Sequence, residues 1–359
     1  MIVKKLFIRN FKNHMLREFD LSPDINCFIG DNGVGKTNIL DALHYLSLGK
    51  SFLGNSDLNN IKKGEDFFSI EAEVQGDDKG FNIKVIQPKD ARKVIKKNDK
   101  AYSKIAEHIG FLPSVMISPY DANLITDSAE NRRRFLDAMI SQVDAEYFHS
   151  IIQYQKALKQ RNALLKSFAK NGFFDADSLE IYNEPLSRFG TLIYRKRNDF
   201  IQGLRPVFKD FYKVISNSKE EVDVIYESVL ETTGMNDVLR KNESKDRVLT
   251  YTSQGVHKDD LNLMMDEDLI KKTGSQGQQK SFLIALKLAQ MNCIKNRTKN
   301  TPMLLLDDIF DKLDDKRVSQ LIDLVNREGF GQIFITDTHR GRTEEVVKNI
   351  NEESRIFGL

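Results

Sequence analysis

Gly30, Gly35, Lys36 and Thr37 stand at the spacing G-x-x-x-x-G-K-[ST], with Asp31, Asn32, Gly33 and Val34 at the variable positions. Residues of these types at this spacing bind phosphate. Glycines let backbone N–H groups converge, Lys36 adds a mobile positive charge, and the Thr37 hydroxyl offers a coordination position to Mg²⁺. Apolar Ile25 to Ile29 reads as a strand entering the loop, and Lys36 to Leu48 as the amphipathic helix leaving it. The expected chemistry is therefore nucleotide binding, with ATP and Mg²⁺ as ligands and Lys36 between the outer phosphates. A glycine-rich strand-to-helix turn with no ligand is the bland alternative, and the flanking elements weigh against it.

Met303 to Leu306 is an apolar run that ends in Asp307 and Asp308. It suits a strand buried on both faces, and carboxylates at its carboxyl end belong beside a phosphate loop in a parallel sheet. Asp307 is expected to hold Mg²⁺, and Asp308 to orient or deprotonate the water that attacks the γ-phosphate. Ser275, Gly277 and Gln278 form a third constellation. Ser275 followed three residues on by Gln278 is a capping box, opening a helix with Phe282, Leu283, Leu286 and Ala289 on one face. It reads either as a well-capped core helix or as a second anion site, built from a hydroxyl, exposed N–H groups and a glycine permitting close approach. Two phosphate sites and one nucleotide loop predict an ATP-dependent homodimer, each signature helix closing on the ATP of the other subunit.

The elements that must position these groups lie at both ends of the chain. Ile2 to Ile8, Phe67 to Val74 and Phe81 to Ile86 read as strands, as do Val222 to Tyr226, Arg247 to Tyr251 and Ile333 to Thr336. From about Asp121 to Lys213 apolar residues recur at helical spacing, and Gln276 to about Ile294 is a further helix. The predicted organisation is an α/β ATPase lobe in two halves, residues 1–120 and 246–359, interrupted by a helical lobe at residues 121–245. Neither repeats nor sustained heptads occur, so no coiled-coil arms are expected. A 40% hydrophobic, 30% charged composition is that of a globular chain, and a net charge of +2 is too mild to imply nucleic acid by itself. Cys27 and Cys293 sit in apolar stretches, which disfavours disulfides and fits a reducing cytoplasm. The N-terminal residues lack a signal-peptide core, and no apolar run is long enough for a membrane span.

With these residues in place, the chain resembles the ABC-type ATPase heads of the SMC superfamily and, within it, the RecF family. The resemblance runs nearly end to end. It is carried by Leu6 to Asn13, the phosphate loop, Gly49-Lys50-Ser51-Phe52, Asn131 to Asp137, Leu158 to Leu165, Ser275 to Gln279 and Leu304 to Asp308. It implies a mixed sheet around a phosphate-loop core with an inserted helical lobe. It also implies action at single-strand gaps and stalled forks, on duplex and gapped DNA, with RecO and RecR as partners in loading the recombinase. Hydrolysis is expected to be slow and DNA-stimulated, with ATP acting mainly as a dimerisation switch. Two alternatives are an ABC-type motor subunit driving another protein and a nucleotide-switched module with negligible turnover. The module reading is allowed because Asp308 is shorter than the glutamate common at that position. The chain departs from the family at two points: Val256 and Lys258 within Gly255 to Asp260, and Asp311-Lys312-Leu313-Asp314 after the acidic pair. His339 is offset from the expected γ-phosphate sensor, Asp311 is the expected dimer contact, and the glutamine that often completes such sites has no evident counterpart.

For a DNA partner the basic runs would neutralise phosphates without reading bases. They are Arg92-Lys93 with Lys96-Lys97, Arg132-Arg133-Arg134, and Arg195-Lys196-Arg197, the last two being the candidate DNA contacts. The plain reading of a charge run is a solvated face, and Arg133 equally suits a pin between lobes.

Overall fold

Alternation of apolar and polar residues builds strands through the first hundred residues, and over all the described residues the computed structural model has fourteen strands in three sheets and nine α-helices. Those residues are 1–54, 56–76, 79–216, 220–298, 300–308, 324–325, 329–341 and 353–359. Along the chain come β1 (Ile2–Phe11), β2 (His14–Asp20), β3 (Ile25–Ile29), α1 (Lys36–Leu48), β4 (Phe67–Gln75), β5 (Gly80–Pro88), β6 (Val94–Lys97), β7 (Lys100–Ala101) and β8 (Ser114–Ile117). Helices follow: α2 (Asn123–Thr126), α3 (Ala129–Ser141), α4 (Ala145–Asn171) and α5 (Ala176–Ser216). Then come β9 (Val222–Glu227), α6 (Met235–Lys241), α7 (Glu243–Leu249), β10 (Asp260–Met265), β11 (Asp268–Leu269), α8 (Ile270–Thr273) and α9 (Gln276–Thr298). The last strands are β12 (Met303–Leu306), β13 (Ile333–Asp337) and β14 (Arg355–Gly358).

The chain divides into two units. The first comprises Met1–Asp121, Val214–Asn217 and Lys280–Leu359, and the second Ala122–Lys213 and Ser218–Gln279. The expected boundary at residue 246 is therefore corrected. Residues 246–279 belong with the helical unit, because β10 pairs with β9 and Asp246 is buried against Arg161 of α4.

In the first unit, an antiparallel sheet of order β2-β1-β4-β5-β6-β7 faces a parallel one of order β14-β3-β13-β12-β8. Helix α1 touches strands of both sheets, and eleven of its thirteen residues are buried, as a helix inside a core requires. Phe11, Tyr45 and Phe68 meet edge to face at its flank, with centroids 5.1–5.9 Å apart. The start of α1 is thereby fixed at the carboxyl edge of β3.

In the second unit, α4 and α5 form an antiparallel hairpin. Lys196 pairs with Asp144 at 2.7 Å near one end, and Arg161 donates to Asn183 at 2.8 Å nearer the other. A three-stranded sheet of order β11-β10-β9 belongs to the same unit. The strand expected at Arg247 to Tyr251 is instead the end of α7. Asp246 holds Arg161 from within that helix, and its other oxygen takes the Ser253 N–H and hydroxyl at 2.8 and 2.6 Å. Those long-range bonds override a local strand preference. His257 is fixed in the following loop: its Nε2 donates to the Thr252 carbonyl at 2.9 Å, so its Nδ1 accepts from the Tyr154 hydroxyl at 2.7 Å. Burial pushes its pKa down to about 4, in keeping with a neutral ring. No described helix is long and apolar enough to cross a membrane.

Candidate nucleotide site

The phosphate loop leaves β3, all of whose residues are buried. Gly33 and Gly35 have φ of 88° and 105°, in the left-handed half of the map where glycine alone is at ease. At Gly35 space is also closed, because a Cβ would lie 2.5 Å from the Asn13 amide and 2.7 Å from the His14 ring. Helix α1 begins after Gly35 with no capping side chain and no acid in its first turn. Its leading N–H groups are thus left for an anion. Lys36 is 5% exposed, and its Nζ donates to the carbonyls of Gly30 and Asp31 at 2.8 and 3.0 Å. The ammonium is held over the loop before any ligand arrives.

The turn between β1 and β2 straps the loop in place. Asn13 Nδ2 donates to the Val34 carbonyl at 3.0 Å, and its Oδ1 accepts from Asn38 Nδ2 at 2.8 Å. His14 Nε2 donates to the Gly35 carbonyl at 3.0 Å. Burial lowers the His14 pKa, which favours the neutral ring with the proton on Nε2.

The acidic pair stands at the end of β12, beside β13 and in parallel register with it. Asp307 Oδ1 accepts two hydroxyls, Thr37 Oγ1 and Thr336 Oγ1, each at 2.8 Å. Burial raises the Asp307 pKa, and the two hydroxyl bonds oppose that rise. The same Thr336 oxygen accepts the Asp308 N–H at 3.0 Å. Asp308 has φ of 45°, which Asp tolerates better than most residues. Thr37 and Asp307 present hard oxygen donors within hydrogen-bond distance of each other. That donor set fits Mg²⁺, which is commonly held by one or two protein oxygens and completed by substrate phosphates. On this geometry, Thr336→Val is expected to weaken Mg²⁺-dependent ATP binding by roughly tenfold, since it orphans one buried N–H and one carboxylate bond. Titration of a fluorescent ATP analogue with and without Mg²⁺ checks this, and Thr336→Ser should recover the loss. Wild-type affinity in the valine variant would remove the positioning role.

Ser275 lies at the start of α9, in the second unit, whereas the phosphate loop and acidic pair belong to the first. The capping box forms as its spacing predicts: the Ser275 N–H donates to Gln278 Oε1 at 2.7 Å, and the Gln278 N–H to Ser275 Oγ at 3.3 Å. Gln278 Nε2 also donates to Glu220 at 2.6 Å. Ser275 itself is exposed, and Gly277 follows it within the first turn.

The structure corrects part of the basic set. Arg132 is buried and bidentate to Asp260 at 2.7 and 2.9 Å, and Arg197 is buried among Asp137, Asp259 and the Val256 carbonyl at 2.8–3.2 Å. Both are internal cations of the helical unit and do not face solvent DNA. Lys196 is tied to Asp144 and Glu146, and Arg133 Nη1 donates to the Asp259 carbonyl at 2.6 Å. Arg134 and Arg195 are exposed, Arg134 pairing with Glu130 one turn away. His339 is exposed beyond the end of β13, and Asp311 lies outside the described residues.

Sequence reasoning missed Thr336, Asn13 and His14 as parts of this site. It also missed the buried pair of Lys287 and Asp121, 2.6 Å apart, which anchors the segment after β8. Each is one polar side chain in an otherwise structural run, and only its distant partner reveals it.

Residues 2–357 match the family model of the RecF/RecN/SMC N terminal domain. The chain is 50% identical to the DNA replication and repair protein RecF of Flavobacterium johnsoniae, with all of both chains covered. It is 45% identical to that of Parabacteroides distasonis, over 99% of this chain and 97% of the relative. A solved structure of the recombination mediator protein RecF with ATP, from the RecFOR pathway, superposes with a TM-score of 0.87 at 31% identity, covering 94% of this chain and 92% of that one. An Smc head bound to the C-winged helix domain of ScpA matches with a TM-score of 0.55 at 15% identity, over 96% and 92% of the two chains, a likeness of fold alone.

Proposed function

The chain belongs to the RecF family of RecF/RecN/SMC ATPases, and from that premise we propose an ATP-binding protein of DNA replication and recombinational repair that clamps duplex DNA as an ATP-dependent dimer. The observation that carries this reading is the bond network joining Thr37, Asp307, Thr336 and Asp308 beside an uncapped, lysine-bearing phosphate loop. Lys36 and the loop N–H groups bind the ATP phosphates. Thr37 and Asp307 hold Mg²⁺, which neutralises charge on the outer phosphates when bound. Asp308 orients the attacking water, and slow turnover opens the dimer.

In this dimer Ser275, Gly277 and Gln278 of one subunit complete the nucleotide site of the other. The exposed signature start supports that arrangement, because the capping box takes up the Ser275 and Gln278 N–H groups and leaves the Ser275 side chain at the surface with a glycine in the first turn permitting close approach. Arg134 and Arg195 are the remaining exposed candidates for DNA phosphates, Arg133 being half-buried and bonded to the Asp259 carbonyl. Family membership further supports action at gapped DNA with RecO and RecR in loading the recombinase, in the cytoplasm.

Sedimentation with ATP, ADP or no nucleotide tests the central premise. Wild-type protein is expected to dimerise with ATP alone, and Ser275→Arg to stay monomeric while binding ATP normally. A monomer under every condition would overturn the sandwich.

A further inference from the structure

The tip of the α4–α5 hairpin carries a feature that nucleotide binding leaves unused. Between the end of α4, the turn after it and α7 lies a groove of about 400 Å³, within the range of ordinary ligand pockets. Its walls are Leu165, Phe168, Phe173, Phe174 and Val248, with Arg247 among them. Phe173 is 64% and Val248 83% exposed, unusual for large apolar side chains so close together. The aromatics are ordered against one another, since Phe168 meets both Phe173 and Phe174 edge to face. Gly172 ends α4 in the left-handed conformation with open space where a Cβ would stand, so the groove's rim is not roofed there.

The charge within the groove says what fits it. Arg247 lies 3.8 Å over the Phe174 ring and has no carboxylate partner among the described residues. Its sequence neighbour Asp246 is fully buried and taken by Arg161 at 2.7 Å. A guanidinium stacked on an aromatic keeps its planar fork free for a carboxylate, and stacking leaves it weakly hydrated and inexpensive to desolvate. Aromatic side chains with a central arginine are also the composition of interaction hot spots.

We infer that this groove docks a short segment of a partner protein in which a large apolar side chain stands next to an aspartate or glutamate. The apolar side chain fills the space among Phe168, Phe173 and Val248, and the carboxylate takes the Arg247 fork. The inference is independent of the nucleotide reading, because every residue it uses lies in the helical unit.

Panning a random heptapeptide phage library against the full-length chain tests it. Enrichment of heptapeptides pairing Phe, Leu, Ile or Met with Asp or Glu is expected, and their recovery on an Arg247→Glu, Val248→Asp double variant should fall to background. The best heptapeptide, fluorescein-labelled, should bind Arg247→Gln about tenfold more weakly by anisotropy. Unchanged ATP affinity and unfolding midpoint in each variant separate loss of docking from loss of fold. Enrichment of basic or purely apolar heptapeptides, absence of enrichment, or equal recovery on the double variant would each overturn the inference.

Discussion

Alanine at position 36 is expected to lower ATP affinity by roughly 100-fold or more, the largest effect of any single change at the nucleotide site. Lys36 Nζ already spends two bonds on the loop carbonyls of Gly30 and Asp31. Exchanging them for phosphate oxygens converts neutral acceptors into charged ones, and each bond to a charged group contributes about 1.5–3 kcal/mol. Two such bonds account for the predicted loss. Lys36→Arg should fall between, because a planar fork cannot replace a point charge in so tight a loop. Fluorescent nucleotide titration at fixed salt is the measurement. Full binding by the alanine variant would end the assignment of Gly30 to Thr37 as a phosphate loop.

The second large effect is on stability and lies in the helical unit. Arg161 and Asp246 are both fully buried, and the arginine also donates to Asn183 and Thr252 at 2.8 Å. Removing one partner of such a pair strands the other in a low-dielectric interior. Arg161→Met is therefore expected to cost about 3–5 kcal/mol, measured by urea unfolding of the helical unit. Removing both charges is milder, so Arg161→Met with Asp246→Leu should regain part of the loss, the remainder being the Ser253 N–H and hydroxyl left without Asp246. A single variant within about 1 kcal/mol of wild type would mean that Asp246 finds compensation elsewhere.

Both sites show where sequence alone suffices and where it stops. The strand, loop and helix around Gly30 to Thr37 are legible because the residues that shape them are contiguous in the chain, and β12 and β13 because fully buried strands read as unbroken apolar runs. The capping box at Ser275 is legible for the same local reason. Arg247 to Tyr251 misleads because Val248, Leu249 and Tyr251 have strand-like character, while the bonds that make the segment helical come from Arg161, 85 residues away. Thr336 stays hidden because a threonine at a strand end is ordinary until Asp307 and Asp308 are set beside it. Arg132 and Arg197 read as surface charge for a matching reason: a run of basic residues does not reveal that Asp260, Asp137 and Asp259 wait inside the fold.

The left-handed backbone at Asp308 bears on which acid the protein can keep there. A conformation at φ of 45° is congenial to Asp and Asn and less so to longer side chains. Replacing this aspartate by glutamate would have to bend the chain as well as lengthen the acid. Asparagine meets no such barrier, so at this position charge can be erased while shape is preserved. Local geometry has narrowed the paths open to mutation, and it has left open the one that separates chemistry from architecture.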